Sequence, residues 1–339
     1  MIVVMKTILS VLMSVTCVVT SGIFGNYAGD FSPVDEETVK LTFATISDAH
    51  FTNSKIRAAM LELGLYDMEH AETPLDALVF VGDNTDHGYI EQYELLKNTV
   101  AKYTPAKNIL MAVGNHDTWT EDENGEDSPE LVKEYFTKYA SEITGRNIDE
   151  LYYTAEINGY TFIILGSEST HTSAYISPAQ IEWLDNELSK AAGKGKPVFV
   201  ISHWPINGSH GLPGTWGDEK DPEPDTGGFG EQSDEIEAIL KKYDDIFLIS
   251  GHIHSGFTSP GQEKHFGYLS VESEGTFHSI NLPSYMYMSP RGRVSNGTGY
   301  VIEVYDDKVL VRARSYSASV WYTLYDYEIP LSTAQTTCE

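Results

Sequence analysis

The chain has 339 residues, with 50 acidic against 22 basic side chains and a formal charge of −28. Such a balance excludes nucleic acid as a bulk partner, because a polyanion is repelled at long range, but leaves a small anionic substrate open. The length allows about two domains of roughly 150 residues, or one large α/β fold.

Residues 1–22 read as a signal peptide: Met5-Lys6-Thr7, the apolar stretch Ile8 to Val19, then the small residues Thr20, Ser21 and Gly22. Cleavage near Gly22 predicts a secreted or extracytoplasmic protein with no stable membrane association, whereas retention would tether it. Ser14 and Thr16 fit poorly as the lead into a lipidated Cys17. Once the signal is removed Cys338 stands alone, so the mature fold has no intrachain disulfide and relies on its core and bound metal. Residues 23–40 read as a polar linker, and residues 41–330 as one domain.

Within that domain five short apolar runs each end in residues that bind metal. Phe43–Ser47 leads to Asp48 and His50, Leu78–Gly82 to Asp83, and Leu110–Gly114 to Asn115, His116 and Asp117. Val198–Ser202 leads to His203, and Phe247–Gly251 to His252 and His254. Runs of this composition predict strands buried on both faces, and in open sheets ligands collect at the carboxyl ends of such strands. Helical patterns alternate with them at Lys55 to Glu72, Tyr89 to Tyr103, Ser128 to Ile143, Pro178 to Ala192 and Asp234 to Tyr243, as expected of a layered α/β architecture with parallel pairing. Ser177-Pro178-Ala179-Gln180 supplies an N-cap, a first-turn proline and a capping-box glutamine. Residues 204–232, rich in Gly, Pro and acids, are expected to form a lid over the metal rim because they start directly after His203. Asp122, Asn124 and Asp127 read as a solvated acidic turn rather than a calcium loop. Residues 265–330 turn to β-strands, with Tyr300 to Tyr305 and Lys308 to Arg314 as a hairpin around Asp306-Asp307, expected to complete a second sheet.

One shared metal site explains the repeated placement. Asp and His suit borderline first-row divalent ions, and Asn adds a neutral oxygen. Asp48, His50 and His254 can serve one ion, Asn115, His203 and His252 a second, with Asp83 bridging. Two ions about 3.5–4 Å apart can polarise a substrate oxygen from both sides and hold a hydroxide for in-line attack, which is the chemistry of phosphoester hydrolysis. Two dications, two aspartates and a hydroxide sum to about +1, so the pocket is locally positive inside an acidic protein. His116, beside a ligand but not one itself, suits protonation of the leaving group, and Asp86 is the expected carboxylate to orient it.

These residues resemble the calcineurin-like metallophosphoesterases, whose pattern is Asp-x-His, Gly-Asp-x-x-Asp, Gly-Asn-His-Asp/Glu, a lone His and Gly-His-x-His. The chain matches in order with Asp48-Ala49-His50, Gly82-Asp83-Asn84-Thr85-Asp86, Gly114-Asn115-His116-Asp117, His203 and Gly251-His252-Ile253-His254. Asp-x-His alone arises by chance in roughly a third of chains this long, Gly-Asn-His-Asp in about one in a thousand, so the ordered set carries the resemblance. It covers roughly residues 41–256 and implies a four-layer α/β/β/α sandwich, two divalent metal ions such as Mn, Fe or Zn, the ligand roles above, and support of His116 by Asp86. His87-Gly88 stands where the family's protein phosphatases carry Arg-Gly, which weakens a phosphoprotein substrate. Asp86 and His50 separate the chain from purple acid phosphatases and bring it closer to the bacterial cyclic-nucleotide phosphodiesterase-like branch. The expected function is metal-dependent hydrolysis of a small anionic phosphomonoester or phosphodiester, nucleotide-like in size. The alternative is a non-catalytic metal-containing binding protein on the same scaffold, against which the complete ligand set weighs. His171, His210, His265 and His278 read as surface or packing residues, with His210 open to touching substrate. Asn207-Gly208-Ser209 and Asn296-Gly297-Thr298 match glycosylation acceptors.

Overall fold

The computed structural model describes residues 26–169, 173–212, 227–259, 261–262, 267–287, 292 and 294–332. The expected signal peptide, Cys17, Cys338, His171, His265 and the middle of the 204–232 loop lie outside them. The first half of the chain gives strands β1 (Asn26–Ala28), β2 (Leu41–Ile46), β3 (Ala77–Val81), β4 (Ile109–Ala112), β5 (Tyr153–Ile157) and β6 (Tyr160–Ile164). Helices α1 (Lys55–Glu69), α2 (Ile90–Val100) and α3 (Pro129–Thr144) lie between them. Then follow α4 (Pro178–Ala192), β7 (Val198–Ile201), α5 (Ser233–Leu240), β8 (Ile246–Ser255), β9 (Val271–Glu274), β10 (Phe277–Pro283), β11 (Thr298–Val304), β12 (Lys308–Ser315), β13 (Val320–Tyr322) and β14 (Tyr327–Pro330).

The strands form two mixed sheets. The first runs β1-β13-β12-β11-β2-β3-β4, with β14 also pairing β12, and the second runs β5-β6-β7-β8-β10-β9. Strands β2, β3 and β4 are parallel, as are β6, β7, β8 and β10. Strand periodicity of two explains the unbroken apolar runs: Phe43, Val79 and Val81 face Phe162, Phe199 and Phe247 between the sheets, while Ala44, Leu78, Phe80, Val200 and Leu248 pack outward under helices. Phe43 locks the interface, its ring edge-on to Phe162 and Phe199 at 5.1 and 5.0 Å. Helices α1 to α3 cover the first sheet and α4 and α5 the second, giving the expected four-layer α/β/β/α sandwich.

Three expectations change in detail. The C-terminal strands divide between the sheets: β9 and β10 extend the second, but the β11–β12 hairpin returns to pair antiparallel with β2 in the first. Without it β2 would expose a free edge in the middle of the molecule. Residues 26–40 are no linker. Strand β1 pairs with β13, Phe31 is buried, Asp30 accepts from the Trp321 indole at 3.0 Å, and Val34 N donates to Glu303 at 3.0 Å. Ser177 caps α4 as expected, but Gln180 does not close a capping box. Its amide bonds both backbone groups of Gly166, and Glu168 takes the Ser177 N–H at 2.7 Å.

Candidate metal centre

Every expected ligand lies on one rim, after β2, β3, β4 and β7 and within the last turns of β8. Five of the seven adopt left-handed backbone: Asp48 (φ 56°), His50 (φ 40°), Asp83 (φ 48°), His252 (φ 71°) and His254 (φ 50°). A side chain there costs roughly 1–2 kcal/mol, so a cluster of such residues points to function rather than to folding. Cross-loop hydrogen bonds impose the conformation: Asp48 N to Gly82 O at 3.2 Å, His50 N to Asp83 O at 2.8 Å, and Gly251 N to His203 O at 3.0 Å. The motif glycines permit that contact. A Cβ on Gly114 would lie 2.3 Å from Asp83 Oδ1, and one on Gly251 would lie 1.8 Å from Ser47 Oγ.

Asp117, the last residue of Gly-Asn-His-Asp, takes a role that its place in the motif does not specify. It is buried and accepts from Asn84 N and Nδ2, Thr85 N and Oγ1, and Gly114 N, all between 2.8 and 3.1 Å. The carboxylate thereby welds the loop after β3 to the loop after β4, which carry Asp83 and Asn115.

The ligand atoms fall into two groups that share one oxygen. In the first, His254 Nε2 lies 3.2 Å from Asp48 Oδ1 and 3.1 Å from His50 Nε2, which in turn lies 3.5 Å from Asp83 Oδ2. In the second, the same Asp83 Oδ2 lies 3.3 Å from His203 Nε2, and Asn115 Oδ1 lies 3.2 Å from His203 Nε2 and 2.9 Å from His252 Nδ1. His203 donates its other ring nitrogen to Val81 O at 2.9 Å, which turns the Nε2 lone pair inward.

The donor set fits divalent cations. Asp48 Oδ1 and Oδ2 and Asp83 Oδ2 are buried and have no aligned hydrogen-bond donor, an arrangement that costs several kcal/mol unless a cation faces them. Electrostatics agree. Burial works against the Asp48 carboxylate, but His254 outweighs it and holds the pKa down to about 2. Asp83 is likewise held well below the usual carboxylate range, its burial outweighed by His203 and His50. Burial disfavours charge on His203, yet Asp83 and Asp48 pull its pKa up to about 9. The protein groups alone are thus a trap for positive charge.

His116 is placed at the mouth. Its backbone N–H donates to Asp83 Oδ1 at 2.8 Å, its ring meets His50 edge-on with centroids 4.4 Å apart, and half-buried Trp119 lies over it at 3.8 Å. Burial lowers its pKa, which the nearby Asp83 charge only partly offsets. The expected carboxylate contact from Asp86 is replaced by a different one. His116 Nδ1 lies 3.0 Å from the Asp86 backbone carbonyl, whereas the Asp86 carboxylate faces His50 Nδ1 at 3.4 Å and Arg57 Nη1 at 3.1 Å. The guanidinium has no counterpart among the sequence expectations. Tyr287, also unforeseen, stacks on His254 at 4.8 Å and meets His50 edge-on at 4.6 Å.

Outside the rim, His210 is a packing residue. It is fully buried, bonding Leu269 O and Ser279 Oγ at 2.7 Å each, so it does not face substrate. His278 is buried against Phe247. Asn207 donates to Gly230 O at 2.8 Å, which occupies the amide of that glycosylation match. The Asp122 turn is closed by its own backbone, with Asn124 N and Glu126 N donating to Asp122 Oδ1.

A four-layer sandwich with acidic, amide and imidazole donors converging on one rim defines the metallophosphoesterase class. The chain belongs to the calcineurin-like phosphoesterase family, whose model matches residues 41–256. It is similar to a probable cyclic nucleotide phosphodiesterase of Rhodococcus erythropolis, at 30% identity over 137 residues and 39% of each chain. It is also similar to sphingomyelinase phosphodiesterase C of Dictyostelium discoideum, at 26% identity over 213 residues, 56% of this chain and 45% of that protein. The chain therefore spans less than half the length of these curated relatives. A dimetal phosphatase from Danio rerio shares the fold, with a TM-score of 0.58 and 13% identity over 87% of this chain and 100% of that one.

Proposed function

We propose that this protein hydrolyses a small phosphodiester, nucleotide-like in size, at a pair of divalent ions. One observation carries the reading: two groups of buried donors meet at a single oxygen, Asp83 Oδ2, and that oxygen and both Asp48 oxygens lack an aligned hydrogen-bond donor. Asp48, His50, His254 and Asp83 would hold the first ion, and Asp83, Asn115, His203 and His252 the second. Bound there, such ions supply charge neutralisation to a phosphate and make water a stronger acid. The names of the two curated relatives, both phosphodiesterases, support a diester over a monoester.

The side chains assign the remaining roles. His116 stands against His50 and Asp83, and its Nδ1–H is engaged by the Asp86 carbonyl, so Nε2 is the atom left to face the leaving oxygen; it gives a proton there as the imidazolium, the form that a bound phosphate's negative charge favours and burial alone opposes. Asp83 holds the backbone of His116 through Oδ1 and leaves Oδ2, between His50 and His203, to hold the ions when they bind, so one residue would fix both the acid and the metal positions. Asn115 contributes an oxygen without charge, which preserves the positive surplus that attracts a phosphate into an acidic protein. Metal-depleted protein, restored with Mn²⁺, Zn²⁺ or Fe²⁺ in turn, tests the reading against p-nitrophenyl phosphate and its bis ester. Metal-dependent turnover with preference for the bis ester is expected. Full metal occupancy with no turnover on any phosphoester would replace it with the binding-protein alternative.

A further inference from the structure

We infer that Arg57 is a positioning residue for the first metal position: its guanidinium pins the Asp86 carboxylate against Nδ1 of His50, and so keeps Nε2 of that imidazole turned toward the cluster. The inference rests on the metal reading above. Arg57 comes from the first turn of α1, where Ser54 caps the helix and accepts from Arg57 N at 3.5 Å. From there Nη1 reaches both the backbone carbonyl of His50 and Asp86 Oδ1 at 3.1 Å, and Nη2 reaches the Tyr287 hydroxyl at 3.2 Å. One planar group thus joins the loop after β2, the loop after β3 and the segment after β10. A flat fork whose fixed donors diverge suits acceptors spread over three segments, which a compact ammonium matches less well.

A metal-binding imidazole almost always donates its other ring N–H, and the partner that accepts it sets ring orientation and ligand basicity. His203 solves that problem with the Val81 carbonyl. His50 has no backbone acceptor at Nδ1 among the described residues. The group nearest that nitrogen is Asp86 Oδ1 at 3.4 Å, an ion-pair contact not aligned as a hydrogen bond, through an oxygen that Arg57 also contacts. The guanidinium is 24% and the carboxylate 20% exposed, so neither is diluted by bulk water. Support of His116 alone would leave this three-way contact without a purpose, since His116 is held by the Asp86 carbonyl instead.

The test is a titration of the whole metal-depleted chain with Co²⁺ and Mn²⁺, followed by calorimetry and, for Co²⁺, by its visible absorption. Wild type is expected to bind two equivalents. Arg57→Ala and Asp86→Asn should each weaken one equivalent by about 10–100-fold, the range for removal of a group that orients a metal-binding histidine, and leave the other unchanged. Arg57→Lys should recover part of the loss. A purely structural role moves both equivalents together along with the melting temperature, and that result, or two unchanged equivalents in Arg57→Ala, overturns the inference while the metal reading stands. Fewer than two equivalents in wild type removes the metal reading itself, and this inference with it.

Discussion

The two proposed metal positions share Asp83 yet are built from different material. The second is enclosed: Asn115, His203 and His252 are buried, Trp204 lies beneath them edge-on to His203, and the Val81 main chain orients His203. The first is open on one side. His254 is 28% exposed, and its surroundings are the long side chains of Arg57, Asp86 and Tyr287, drawn from three separate segments. Main-chain support inside a strand pair cannot move without breaking the sheet, whereas side-chain support can be lost by rotation about single bonds. The lesson is that a symmetric set of donors can still have one firm and one labile half.

The strongest way to break this asymmetry is at the shared ligand. Asp83→Ala should empty both positions and abolish turnover together; a variant that stays active with no metal would sink the proposed function. Next comes His116→Ala, which should leave both equivalents bound and lower turnover by about 10²–10⁴-fold, most severely for poor leaving groups. Equal loss on p-nitrophenyl and alkyl esters would remove the acid role from His116. A sharper probe of the contrast is a brief chelator challenge at neutral pH, with metal counted afterwards by elemental analysis. One equivalent should leave well before the other, and prior Arg57→Ala substitution should quicken the first phase alone. Simultaneous loss would show that the positions are held equally.

The smallest expected effect is on acid stability. Burial works against the Asp86 carboxylate, but His50 and Arg57 outweigh it and hold its pKa well below the usual range. A depressed carboxylate contributes stability that is present above its unfolded pKa, about 4, and is lost as pH falls toward the folded value. Asp86→Asn should therefore lower the melting temperature of metal-free protein by roughly 1–3 °C at pH 7, with the gap closing below pH about 4. A gap that persists at low pH would mean that Asp86 acts through packing rather than charge.

How much of this was legible follows from what each feature depends on. The gathering of the seven expected ligands and His116 on one rim was legible because strand runs and motif spacing are local, and burial on both sheet faces leaves an unbroken apolar signal. Asp117 had a signal, as the fourth residue of Gly-Asn-His-Asp, but its five donors come from two loops brought together only by folding. The partner of Asp86 was not legible at all. It depends on where the first turn of α1 lies relative to the loop after β3, and nothing in the alternation of apolar residues encodes that. Strand identity in the tail was visible while sheet membership was not, because a period of two says which residues face inward and nothing about which edge a hairpin will join. The polar stretch before Leu41 misled for a related reason: few of its side chains are buried, Phe31 among them, and it is otherwise anchored through its backbone, by pairing with β13 and by contacts to Trp321, Arg312 and Glu303.

The left-handed ligands have a consequence for how such a protein can change by mutation. At Asp48, His50, Asp83, His252 and His254 the backbone adopts the conformation that glycine takes most readily, and in that conformation the candidate metal donors gather. Glycine at any one of them relieves local strain and, at Asp48, also removes two donorless oxygens. The metal-free His254→Gly chain should therefore melt higher than the metal-free His254→Ala chain. Random drift on this scaffold, once selection for its chemistry is relaxed, runs downhill toward sturdier proteins that have forgotten the reaction.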